Sequence, residues 1–118
     1  MRVLGIETSS RRGTVALLDD AHVVVTLATD VPGGHGPHLL GLIDRALAGA
    51  GWTKTVLDRI AVGTGPGSFT GIRVGIALAQ GIALGLGRPI VGVGSLRAMA
   101  RTVPDTLVGT RCAFVDAR

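Results

Sequence analysis

In the stretch Gly63-Thr64-Gly65-Pro66-Gly67-Ser68-Phe69-Thr70-Gly71-Ile72-Arg73-Val74-Gly75, a short apolar run, Ile60 to Val62, passes through a glycine-rich turn into an apolar helical pattern that continues to about Leu86. Gly71, Gly75, Gly81 and Gly85 lie inside that pattern, where each glycine costs about 1 kcal/mol relative to alanine. Something must offset this cost. At a spacing of four, Gly71, Gly75 and Ala79 form one edge of the helix, and Ala77, Gly81 and Gly85 form another, so backbones can approach on two sides. One neighbour is expected to be the chain's own sheet. The other is the preceding helix or a helix of another molecule, because a helix apolar nearly all round needs cover on every side. A wholly internal helix satisfies the same pattern.

The turn ahead of this helix is a candidate anion-binding loop through Gly65, Gly67, Ser68 and Thr70, since backbone N–H groups at a helix N-terminus attract negative charge. It matches no phosphate motif. No Lys-Ser or Lys-Thr follows, and Gly65-Pro66-Gly67-Ser68-Phe69-Thr70 lacks the third glycine of the dinucleotide fingerprint. Pro66 takes the place of the first glycine of a nucleophile elbow, so capping explains the Ser68 and Thr70 hydroxyls better than catalysis does.

Working outward towards the N-terminus, Arg2 to Ile6, Thr14 to Leu18 and His22 to Thr29 read as three consecutive strands, most simply an antiparallel meander. Pro32, Gly33, Gly34 and Gly36 interrupt the pattern. From Pro37, the positions Leu39, Ile43, Ala46, Leu47 and Ala50 recur at helical spacing, with Gly51 as C-cap. Towards the C-terminus, Pro89 stops the second helix, Ile90 to Val93 reads as a strand, Leu96 to Arg101 as a short helix and Arg111 to Val115 as a last strand. The order βββαβαβαβ is that of a mixed α/β sheet with helices on its faces, as in ribonuclease H-like lobes.

At 118 residues and 47% hydrophobic content the chain can bury one core, so residues 1–118 are expected to form a single lobe. Nineteen glycines against three aromatic side chains imply an interior of Val, Leu, Ile and Ala packed at short backbone distances. Eleven of the twelve basic residues are arginine, and no acidic residue falls between Asp58 and Asp105, where Arg59, Arg73, Arg88, Arg97 and Arg101 lie. That bias suits an acidic partner or a phosphate backbone. Arginines solvating helix ends and loops account for it as well, because no aromatic residues interleave with them. Cys112, alone beside the apolar run Ala113 to Val115, reads as a buried structural thiol in a reducing compartment. The N-terminus lacks the apolar stretch of a secretory signal. Val74 to Gly87 is shorter than the ~20 residues of a membrane span, so a cytoplasmic protein without a membrane is expected.

His35 and His38 are spaced as H-x-x-H, but two ligands are too few for a metal centre, and no metal site is assigned. Glu7, Thr8 and Ser9 form the first turn, where a carboxylate and hydroxyls can meet a phosphate-bound metal or simply cap the turn.

The run Gly65 to Gly75 closely resembles the signature of the bacterial TsaB (YeaZ) family. Leu4-Gly5-Ile6-Glu7-Thr8-Ser9 resembles the family's first strand and turn, His35 with Leu39-Leu40 its first helix, and Ala79-Gln80-Gly81, Val91-Gly92-Val93 and Asp116-Ala117-Arg118 its later landmarks in order. Glu7 departs from the pattern, standing where the family usually has Asp. The resemblance implies an amino-terminal ribonuclease H-like lobe of the actin-like, sugar kinase and Hsp70 ATPase superfamily, with the family's second lobe absent from this chain. It further implies a scaffold without catalytic residues that pairs with TsaD, and through it TsaE, in forming threonylcarbamoyladenosine beside the tRNA anticodon. On that reading the lobe has no cofactor of its own, and ATP or ADP belongs to the assembled complex. The family builds its TsaD pairing and its homodimers from the first two helices. This points to Leu39, Ile43, Ile72, Arg73, Ile76 and Gln80 as partner interface, with Gly71 and Gly75 setting the approach distance. The alternatives are a fragment of a glycoprotease-like or ATP-binding enzyme, for which no metal triad, activated nucleophile or acidic metal ligand is convincing, and a tRNA-binding module resting on the acid-free stretch.

Overall fold

Alternation along the first strands sets the architecture. The computed structural model describes residues 1–30, 35–104, 106, 109, 110, 112 and 113, without the side chain of His35. Leu4 and Ile6 of β1 (Arg2–Glu7), Val15 and Leu17 of β2 (Gly13–Asp19), and Ile60 and Val62 of β4 (Arg59–Gly63) are buried. Residues two apart share one face of a strand, so these six side chains make one apolar surface. With β3 (His22–Thr29) and β5 (Ile90–Val93), the sheet runs in the order β3-β2-β1-β4-β5. The first three strands form the expected antiparallel meander, while β4 pairs in parallel with both β1 and β5.

Parallel neighbours need crossover connections, and two helices supply them. Helix α1 (His35–Ala50) sets Leu39, Leu42, Ile43, Ala46 and Leu47 onto the apolar surface, and α2 (Phe69–Leu86) adds Ala79 and Ala83. Burying a Leu or Ile completely is worth roughly 1.5–3 kcal/mol, so α1 contributes most of the helical share of the core. The small residues of α2 instead let its backbone lie close to the sheet. Gly51 ends α1 and Gly87 caps α2, both at positive φ, as a left-handed C-terminal residue requires. The short helix α3 (Ser95–Ala100) reaches towards the opposite face, where its Ala98 joins Gly5, Thr14, Ala16 and Ala61 around an open groove of about 180 Å³.

Three sequence expectations change. Cys112 is exposed rather than buried. The strand expected at Arg111 to Val115 lies largely outside the described residues, and Cys112 and Ala113 belong to no strand. Helix α2 has 18 residues with mean hydropathy 1.5, long and apolar enough to cross a membrane by length and composition alone. Here Gly71, Gly75, Ala79 and Ala83 give it a face packed on the sheet.

The end of the sheet where β1 begins is closed by charge. The Met1 ammonium donates to Asp20 at 2.6 Å, the Asp58 carboxylate accepts from the Arg2 backbone N–H at 2.7 Å, and the Arg2 guanidinium lies 4.8 Å over the Trp52 ring. The hydrogen bond to Asp20 raises the Met1 amine above its ordinary value and holds the Asp20 carboxyl below its own; the Arg12 guanidinium does the same to Asp30. A lowered carboxyl stabilises above its unfolded value near 4 and loses that contribution as pH falls, whereas a raised amine stabilises below about 8 and loses it as pH rises. All of these groups are exposed, so the effect is small. Urea midpoints are expected to be flat between about pH 5 and 7 and to fall on both sides. Asp20→Asn should remove most of the alkaline decline; a midpoint profile identical to that of the parent would contradict the pairing.

Candidate functional site

The junction between β4 and α2 fastens three loops together at the carboxyl ends of the parallel strands. Ser68 is the N-cap of α2, its Oγ accepting from the Gly71 N–H at 3.1 Å. The Ser68 N–H in turn donates to the Ser9 carbonyl at 2.6 Å, which ties the β1–β2 turn to the head of the helix. Thr8 is completely buried between them, and its Oγ1–H donates to the Gly71 carbonyl at 2.6 Å. On the other side, the Gly65 N–H donates to Ser95 Oγ at 3.0 Å, and the Ser95 N–H returns a bond to the Gly65 carbonyl at 2.9 Å. The β5–α3 loop is therefore held to the same junction.

This lock explains the first glycine edge of α2. A Cβ added at Gly71 would fall on the Thr8 carbonyl oxygen, and one at Gly75 on Thr8 Oγ1. The two glycines admit the chain's own turn, so the close approach that they set is internal. The second edge behaves differently: a Cβ at Gly81 or Gly85 meets nothing within 4 Å. Ala77, Gln80, Gly81, Leu84 and Gly85 are exposed there, with Leu84 at 85%.

The interface residues expected from sequence thus divide. Leu39 and Ile43 belong to the core, because their four-residue spacing faces the sheet, and Gly71 and Gly75 lie against Thr8. Arg73 and Gln80 are exposed, and Ile72 and Ile76 are half-buried beside them. Leu84 and Phe69, which the sequence reading passed over, lie on the same exposed side. The signal for Leu84 was its place four residues after Gln80. His38 is exposed on α1.

The candidate anion loop is a poor fit to a nucleotide phosphate. The N–H groups of Gly65, Ser68 and Gly71 are occupied by Ser95, Ser9 and Ser68, and a Cβ at Gly67 would fall on the Ser9 carbonyl, so the space beside the loop holds the chain's own oxygens. Thr70 is exposed in the first turn of α2. Glu7 fits a metal no better. Its Oε1 accepts from the Ser9 N–H at 2.7 Å, and its carboxylate lies so close over Gly63 that a Cβ there would collide with it. The carboxylate caps its own turn.

Comparison with known proteins agrees with this arrangement. Residues 30–118 match the family model described as TsaD, tRNA N6-adenosine threonylcarbamoyltransferase. The chain is similar to the tRNA threonylcarbamoyladenosine biosynthesis protein TsaB of Escherichia coli strain K12, at 39% identity over 119 residues, covering 100% of this chain and 51% of that protein. It is also 35% identical over 121 residues to the tRNA N6-adenosine threonylcarbamoyltransferase of Jannaschia sp. strain CCS1, covering 86% of this chain and 34% of that protein. The solved structure of YeaZ from Pseudomonas aeruginosa superposes with a TM-score of 0.81 at 35% identity, over 86% of this chain and 47% of the other. The chain spans about half the length of the TsaB relatives that it matches. Whole-chain identity and a shared five-stranded mixed sheet lead to one conclusion: the chain belongs to the TsaD domain family and, within it, to the TsaB (YeaZ) family.

Proposed function

We propose that this chain is the amino-terminal lobe of a scaffold subunit that pairs with TsaD in the threonylcarbamoyl modification of tRNA adenosine next to the anticodon, without supplying catalytic residues. The observation that carries the reading is the outer edge of α2. Gly81 and Gly85 cost about 1 kcal/mol each in helix propensity, nothing among the described residues lies within 4 Å of a Cβ at either, and Leu84 beside them is exposed. A partner helix laid across this edge offsets that cost through close backbone approach and burial of Leu84. Names of relatives in tRNA threonylcarbamoyladenosine biosynthesis support the pathway. In this scheme TsaE joins through TsaD, ATP or ADP is held by the assembled complex, and the protein works in the cytoplasm.

The test is multi-angle light scattering of the chain with purified TsaD. A one-to-one complex at micromolar concentration is expected. A mixture that elutes as two separate species would refute the pairing, and a chain that is dimeric alone and remains so with TsaD would assign the α2 edge to self-association instead.

A further inference from the structure

The face of the sheet turned away from α1 and α2 is apolar. Directly paired residues share a face, so Val23, Leu18 and Val3 form one row across β3, β2 and β1 on that side. A bulge leaves Val24 without a partner on β2 at the outer end of this row, and Val23 and Val24 are 62% and 43% exposed. The next row on the same face, two residues along each strand, is Ala16, Gly5 and Ala61. These residues are short, so an aliphatic ridge stands beside a trough. A Cβ at Gly5 would meet nothing nearer than the Ala16 carbonyl oxygen at 3.8 Å, so the packing of the lobe itself does not require so low a floor. Helix α3 reaches this face with Ala98, beside Glu7, Thr14 and Gly63 of the third row. Parallel strands such as β1, β4 and β5 are normally covered on both faces, and a face left to water is normally polar. Here the first two rows hold one charged side chain, Arg59, opposite Val3 on β4.

We propose that a second copy of the chain docks on this face, sheet against sheet about a two-fold axis. Ridge and trough lie about 7 Å apart, two residues along a strand. A two-fold axis normal to the sheet and passing between them therefore sets the ridge of each copy into the trough of the other. The occupant has to present both shapes side by side, and a second copy does so by symmetry. A single helix of another protein would fill the trough and leave the ridge uncovered. A two-fold contact also closes on itself, so assembly stops at the dimer. Facing sheets lie about 10 Å apart, a separation that large side chains fill when they meet small ones. Five strands by three rows cover roughly 500 Å² on each copy, and the total of about 1,000 Å² is at the lower limit for a specific interface. The dimer is accordingly weak, with a dissociation constant on the order of tens of micromolar, and at the lower concentrations used with TsaD the chain is a monomer. Helix α2 packs on the other face of the sheet, so this self-association does not rest on the pairing proposed above.

The test is sedimentation velocity of the full chain from about 1 to 200 μM, with circular dichroism of every variant. A monomer at the low end and a dimer forming with a Kd of roughly 10–100 μM are expected. Val23→Lys changes a side chain that is already 62% exposed, so the fold is kept, and it should weaken the dimer about tenfold or more by burying an unpaired charge. Ala16→Lys fills the trough and should abolish the dimer; if it unfolds the lobe, Val23→Lys decides. Leu84→Lys, the same kind of change at an exposed position of α2, should alter the dimer less than about threefold. A chain that stays monomeric over the whole range, a dimer unchanged in Val23→Lys, a dimer lost in Leu84→Lys, or species that grow beyond the dimer would each overturn the proposal. Light scattering with TsaD separates the two faces, because Val23→Lys should keep that complex. Loss of both the dimer and the TsaD complex in a folded Val23→Lys would give this face to TsaD and remove the second copy as its occupant.

Discussion

Gly71→Ala is expected to destabilise the lobe by roughly 3 kcal/mol or more, although alanine is the better helix former. The added methyl group would fall on the Thr8 carbonyl oxygen, and backbone hydrogen-bonded into a turn cannot move aside without breaking the bonds that Ser9 donates to Glu7 and accepts from Ser68. Gly75→Ala meets Thr8 as well, but at the side chain: its methyl group would fall on Oγ1, with Thr8 Cβ and Cγ2 at 3.3 and 3.4 Å. The two variants therefore separate in a double-mutant cycle. Thr8→Ala removes the colliding oxygen and should recover about 1–2 kcal/mol of the loss at Gly75, and nothing at Gly71. Urea unfolding of the singles and doubles measures this. Equal rescue at both positions, or none at either, would mean that Thr8 is not the neighbour that holds this helix.

What could be read from sequence, and what could not, follows from how far each signal reaches. The meander, the crossover helices and the glycine-rich junction were legible because alternation, helical spacing and the stops at Gly51, Gly87 and Pro89 are local. The resemblance to TsaB was legible for the same reason: its landmarks are contiguous. The role of the glycines was not, since their spacing of four says that something approaches and leaves open what. Only the tertiary pairing of Thr8 with Gly71 and Gly75, across 63 positions in the hydrogen-bonded case, assigns the first edge to the chain itself. Leu39 and Ile43 show the same limit, because an apolar stripe on α1 looks alike whether it meets a sheet or a partner. Cys112 was misread because an apolar run in the sequence does not say whether the thiol beside it reaches the core.

Gly81→Leu reverses the logic of the Gly71 and Gly75 variants. A Cβ at Gly81 meets nothing within 4 Å, and leucine is a strong helix former, so the isolated lobe should keep its circular dichroism and be more stable by up to about 1 kcal/mol. Association with TsaD should weaken at least tenfold, because the side chain separates two backbones that the glycine allows to touch. The combined Gly81→Ala and Gly85→Ala variant gives a gentler version, with a stability gain of about 1–2 kcal/mol and a smaller loss of pairing. Opposite signs in the two measurements are the diagnostic result. A glycine retained for folding shows a loss of stability first, as at Gly71; a glycine retained for a partner shows a gain in stability and a loss in binding. Should Gly81→Leu leave the complex with TsaD intact in a folded protein, the outer edge of α2 would not be the docking surface. Attention would then move to the half-buried Ile72 and Ile76, on the flank of α2 where Ile72 lies against Gly65.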